Sequence, residues 1–226
     1  MNLLLTNCHF LWLALQAMLV SVSTVVAEPV AEPVAEPVAE PLAAQSARVQ
    51  LEHFADGLES LAARFEQETL DETGRMVEKN TGRLLFLAPE RFRWDYDEPF
   101  PQQLVADGER LWHYDEALEQ VTVREQPSAT DSPLLVLTRP ELLDRFYRVE
   151  PGDEPDVIEF QPLNEDAEFE VARLSFRDGL PDSLELMDRF GQYTRIGLSD
   201  VQRNPELDEA LFTFEPPEGA DVLEGI

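Results

Sequence analysis

The sequence predicts a mainly β protein, a strongly curled antiparallel sheet with helices packed inside it. Three observations carry this. From Phe92 onward, apolar and polar residues alternate at period two in a series of short segments. The Asp107-Gly108 and Asp178-Gly179 pairs fall between such segments, where tight turns are needed. An apolar helical stripe precedes the strands, and short helical pieces interrupt them. Sequential strands joined by short turns imply antiparallel pairing. So many strands must curl or close to bury one face.

Along the chain, residues 1–27 read as a secretory signal. Phe10 to Val20 form its apolar core, and Val25, Val26 and Ala27 supply the cleavage region, although no basic residue precedes the apolar run. Residues 28–45 repeat Ala-Glu-Pro-Val, with Glu28, Glu32, Glu36 and Glu40 each before a proline. Such a segment is expected to be an extended, disordered spacer. The folded domain is expected over residues 46–226. Leu51, Phe54, Leu58, Leu61 and Phe65 recur at spacings of three and four, which predicts one helix with a single apolar stripe. That stripe either covers the sheet or acts as a lid over a cavity.

Phe92, Trp94 and Tyr96 then point one way from a strand, and Arg91, Arg93 and Asp95 the other. Strands are expected at Gln103–Val105, at Leu111–Tyr114 and around Val121 and Val123. Short helices follow at Ser132–Leu137 and Pro140–Phe146, the second with its proline suited to a first turn. Further strands are expected at Val157–Phe160, Phe169–Phe176, Leu184–Met187 and Tyr193–Leu198. A last strand holds Phe212 and Phe214 and ends at Pro216-Pro217.

Composition narrows the function. The 226 residues include 46 acidic and 17 basic side chains, a formal charge of −29. Phosphate binding needs clustered cations, so nucleic acid is excluded as a partner. An anionic membrane surface is disfavoured for the same reason. Lys79 is the sole lysine, and this acidic surface suits a salty milieu. Cys8 is the sole cysteine and lies within the expected signal, so the exported chain has no disulfide or thiol chemistry. His53 and His113 are far apart and read as structural residues, and no metal-ligand spacing surrounds them. Serine elbows, phosphate loops and dinucleotide fingerprints are missing. The chain is therefore expected to be a binding protein without cofactor or metal, and not an enzyme. An esterase would need a nucleophile and base that the sequence does not present.

An ordered set of pieces carries a resemblance. Gly82 to Leu87 leads into Pro89-Glu90-Arg91-Phe92-Arg93-Trp94-Asp95-Tyr96 and Pro99. Asp107-Gly108, Leu111 to Asp115, Leu118 to Val121 and Ser132-Pro133-Leu134-Leu135 follow. Asp188 to Gln192, Phe212-Thr213-Phe214 and Pro217 to Val222 complete it. Over residues 47–224 the chain resembles the outer-membrane lipoprotein carrier family of LolA type.

The resemblance implies an incompletely closed antiparallel β-barrel covered by a lid of α-helices. It implies a monomeric periplasmic chaperone that binds the acyl chains of lipoproteins. An inner-membrane ABC-type releasing complex would supply the cargo, and an outer-membrane receptor lipoprotein would take it. Leu51, Phe54, Leu58, Phe92, Trp94, Leu135, Leu137 and Phe214 would line the cavity and lid, with ordinary core packing the competing reading for each. A related carrier of glycolipids or other envelope lipids is the alternative function. The receptor itself would need a lipid-modified cysteine after the signal, where Glu28 stands. One position departs from the family. A basic residue that helps hold the cavity shut is usual directly before Pro89, and here it is Ala88. Arg91 and Arg93 would point from the opposite strand face, so the lid is expected to be held mainly by apolar contact.

Overall fold

The computed structural model describes residues 42–126, 138–164, 167 and 169–225. Helix α1 spans Leu42–Ala55. A first meander contains β1 (Ser60–Leu70), β2 (Met76–Leu87), β3 (Arg91–Glu98), β4 (Gln102–Ala106), β5 (Arg110–Asp115) and β6 (Gln120–Glu125). A 3-10 turn at Pro140–Leu142 runs into one α-helical turn at Leu143–Phe146, as the proline predicts. A second meander contains β7 (Tyr147–Pro151), β8 (Val157–Pro162), β9 (Phe169–Arg177), β10 (Leu180–Asp188) and β11 (Tyr193–Arg203). The 3-10 turn Glu209–Phe212 and strand β12 (Asp221–Glu224) come last. The helix expected at Ser132–Leu137 lies outside the described residues.

All twelve strands form one sheet, in the order β12-β6-β5-β4-β3-β2-β1-β11-β10-β9-β8-β7. Neighbours are antiparallel, except that β12 runs parallel to β6. The end strands β12 and β7 do not pair with each other, so the described sheet is open. Phe65, Leu84, Trp94 and Leu104 from β1–β4 belong to the same buried cluster as Ile158, Phe160, Leu174 and Leu186 from β8–β10. Strands far apart in the sheet thus meet through one face, which makes that face concave. Helix α1 lies on it, packing Ala47, Leu51 and Phe54 toward β7–β10. Leu51 and Phe54 each contribute about 1.5–3 kcal/mol by leaving water.

The apolar stripe predicted as one helix is two elements. Helix α1 stops at Ala55, and Gly57 follows with φ +65°, a left-handed conformation suited to ending a helix. Leu61 and Phe65 stand on β1, where Leu61, Ala63, Phe65, Gln67 and Thr69 are buried in alternation. A spacing of four satisfies a helix face and a strand face alike, so those two residues could not separate the alternatives.

The last strand is also displaced. Phe212 ends a 3-10 turn capped by Asp208, whose carboxylate accepts from the Ala210 N–H at 2.9 Å. Phe214 follows outside any strand, and the chain resumes pairing at β12 beyond Pro216-Pro217. Phe212 and Phe214 thus lie at a 3-10 turn and in the extended link after it, neither in a strand ladder. Strands β1, β2 and β7 add to those expected. Gly82 of β2 pairs with Phe65 of β1, and a Cβ there would lie 2.7 Å from the Phe65 ring and 1.9 Å from the Asp95 carbonyl oxygen. The missing side chain lets the ring lie close against the sheet.

Candidate ligand-binding face

Register assigns each β3 side chain to a face. Trp94 pairs with Leu84 on β2 and Leu104 on β4, both buried in the inner core. Phe92 pairs with Phe86 and Ala106 on that same face and is half-buried. The rings of Phe65 and Trp94 are 5.0 Å apart, and Phe65 meets Tyr96 edge-on at 5.2 Å. Trp94 is 5% exposed, and its buried Nε1 has no hydrogen-bond partner among the described residues. Toward the β1–β2 turn this aromatic strip becomes polar. The Tyr96 hydroxyl approaches Gln67 Oε1 at 3.4 Å, and Thr69 shares a 3.3 Å hydrogen bond with Thr194.

Of the residues expected to line a cavity, Leu51, Phe54 and Trp94 join this inner cluster, with Leu58 and Phe92 half-buried against it. Leu135 and Leu137 lie outside the described residues. Phe214 does not share the face. It packs on Trp112 at 5.6 Å and Tyr114 at 6.1 Å. Trp112 pairs with Val105, which pairs with Arg93, so all three belong to the outer face. The C-terminal segment crosses the back of the sheet there, and this corrects the expectation that Phe214 looks toward Phe92.

The outer face of β3 is ionic. The Asp95 carboxylate accepts from Arg83 Nε at 2.7 Å and from Arg93 Nε at 2.8 and 2.9 Å. Arg93 also donates to the Leu211 carbonyl and to Gln103, and Arg91 pairs with Glu209 while lying 6.0 Å from the Phe212 ring centroid. Both arginines thus hold the C-terminal segment, and neither reaches the inner face. Ala88 is half-buried, and its N–H donates to the Glu59 carbonyl at 2.8 Å. Arg124, which sequence reasoning passed over, does belong to the inner face. It pairs with Leu111, in the cross-strand row of Phe92 and Ala106, and is 9% exposed.

Two ties hold α1, one from its middle and one at its C-terminal end. Arg48 makes a two-pronged hydrogen bond to Asp144 at 2.9 and 2.5 Å, joining α1 to the Leu143–Phe146 turn. The hydrogen bonds from Arg48 hold the Asp144 carboxyl below its usual range, against a smaller opposing effect of burial. At the C-terminal end, Arg203 donates to the Phe54 carbonyl at 2.9 Å and to the Asp56 carbonyl. A groove of about 360 Å³ lies between α1 and the Thr138–Glu141 segment, lined in part by Arg48, Glu52, Pro140 and Glu141. Its charged lining sets it apart from the apolar inner face. His53 is exposed on α1, and His113 shares a 3.0 Å hydrogen bond with Gln102. Among the described residues, no group of three or more His, Cys, Asp or Glu side chains is placed to hold a metal ion. No described helix is long and apolar enough to cross a membrane.

Comparison with known proteins matches residues 56–215 to the family described as outer membrane lipoprotein carrier protein LolA. A relative from Alkalilimnicola ehrlichii, named outer-membrane lipoprotein carrier protein, is 43% identical over 185 residues, covering 79% of this chain and 84% of its own. A relative of the same name from Halorhodospira halophila is 41% identical over 182 residues, covering 80% and 88%. Another from Xanthomonas axonopodis pv. citri is 41% identical over 184 residues, covering 78% and 88%.

Proposed function

Because this chain belongs to the LolA family of outer membrane lipoprotein carrier proteins, we propose that it is a periplasmic carrier that shields lipoprotein acyl chains against the inner face of its curled sheet. The observation that supports this most is the continuous apolar inner face, from half-buried Phe92 through Trp94 to Phe65 and across to α1. Binding, not bond-making, is what such a face does. Each methylene moved out of water is worth about 0.8 kcal/mol, so a long acyl chain exposes roughly 12 kcal/mol. A multiply acylated protein needs a solvent-excluding surface to cross an aqueous compartment.

Leu51, Phe54, Leu58, Phe92 and Trp94 line the lipid site in this reading. Helix α1 and the Pro140–Phe146 segment form part of a lid over it. With Ala88 where the family's basic residue is usual, the Arg48–Asp144 tie replaces that residue in holding the lid. The cargo arrives from an inner-membrane ABC-type releasing complex, which supplies the energy of extraction, and leaves for an outer-membrane receptor lipoprotein.

The test is a transfer assay. Membrane vesicles carrying the releasing complex and labelled lipoprotein are incubated with the purified protein and ATP. Soluble, carrier-bound lipoprotein that appears only with ATP is expected. If the folded protein takes up glycolipid but no lipoprotein from vesicles with an active complex, the cargo assignment is wrong.

A further inference from the structure

We infer that the Trp94 indole N–H recognises the carbonyl oxygen at the head of a bound acyl chain; this rests on the carrier reading above. Trp94 is buried on the inner face between Leu84 and Leu104, with the Phe65 ring 5.0 Å away, and its Nε1 has no acceptor among the described residues. A phenylalanine would fill an apolar stack without stranding a donor there. An indole N–H only donates, so what completes it must be an acceptor. Methylenes carry none. The first acceptor that a lipoprotein lipid offers is the carbonyl of the ester or amide joining chain to head.

Trp112 shows that this fold satisfies an indole where it has structural reason to. Its Nε1 donates to Asp107 Oδ2 at 2.9 Å. The Trp94 donor also lies at an informative depth. Phe92, the next residue on the same face toward the β2–β3 turn, is half-buried, and same-face neighbours on a strand are about 7 Å apart. A carbonyl at Trp94 leaves the head group in the row of Phe92 and sends the methylenes over the buried apolar face. Trp94 thereby selects acyl over alkyl chains, which apolar contact alone does poorly.

The experiment compares 1-palmitoylglycerol with 1-O-hexadecylglycerol, an ester and an ether of equal chain length. Wild-type protein is expected to bind the ester about three- to tenfold more tightly, the range of one neutral hydrogen bond. Trp94→Phe is expected to lose the preference, so that its ester and ether affinities become equal, whatever the change in overall affinity. On the wild-type protein, the indole ¹H–¹⁵N signal absent from Trp94→Phe should move downfield with the ester and much less with the ether. This readout stands even if the variant folds poorly. Equal wild-type affinity for both lipids, or an indole signal indifferent to the carbonyl, overturns the inference and leaves the carrier reading intact. Failure to bind either lipid, together with failure of the transfer assay, removes both.

Discussion

The two faces of the β3–β5 region each carry one tryptophan, and the two are finished differently. Trp112 on the outer face has its N–H on Asp107, a ring partner in Phe214, and the Arg110 guanidinium 5.8 Å from its ring centroid. Trp94 on the inner face has ring partners but, among the described residues, no acceptor. The same division runs along β3. Its outward Arg93 and Asp95 are tied by hydrogen bonds within the sheet and to the C-terminal segment, while its inward residues touch mainly carbon. Directional bonds fix one arrangement. Apolar contacts on the inner face tolerate exchange for other apolar surface, because dispersion and water exclusion are not directional. A sheet rigid behind and adaptable in front suits a protein that must take up lipid and release it.

The comparison can be broken from either side. The largest effect is expected inside. Phe54→Ala opens a cavity under α1 and should cost about 3–5 kcal/mol, read from denaturant unfolding. A loss below about 1 kcal/mol would mean that α1 is not packed on the sheet as described. Asp95→Ala acts on the outer face by leaving Arg83 and Arg93 without their shared acceptor. It should cost about 2–3 kcal/mol in the same measurement and loosen the C-terminal segment to proteolysis. An unchanged segment would show that its attachment lies elsewhere.

Smaller effects sharpen the picture. Arg48→Ala releases the α1 tie, but Asp144 is well exposed, so solvent screening limits the cost to about 1 kcal/mol or less. The pairing lowers the Asp144 pKa from its ordinary 3.8, so its contribution is full above that value and is lost as pH falls through the depressed one. The stability gap between wild type and variant should therefore begin to narrow at about pH 4 and close only below the depressed pKa of Asp144. A gap that persists at lower pH would point to lost packing of the arginine stem instead. Phe214→Ala should leave acyl-lipid affinity unchanged, since the ring lies behind the sheet. A weakened affinity would return Phe214 to the binding site.

Much of this division was legible in the sequence, because β3 alternates strictly and the β4–β5 turn carries an Asp-Gly signal. Asp107 accepts from the Glu109 and Arg110 N–H groups, as such a turn requires. What was hidden has physical causes. Leu61 and Phe65 fit helix and strand periods equally, and Gly57 was the local sign that the helix ends. The resemblance puts Phe214 on a last strand facing the cavity, but Phe214 lies outside any hydrogen-bonded strand. The Arg48–Asp144 tie joins residues 96 apart, and no local pattern announces such a pair. Arg124 is revealed as inward only by its register with Leu111.

The most direct measurement of the central claim uses the two tryptophans against each other. Two proteins are made, each keeping one of them, by Trp12→Phe with Trp112→Phe and by Trp12→Phe with Trp94→Phe. Each is loaded with a lipopeptide whose acyl chains carry bromine, a quencher that acts at close range. Quenching of Trp94 emission with Trp112 left bright is the predicted result. Equal quenching of both, or quenching of Trp112 alone, would contradict a lipid site on the inner face.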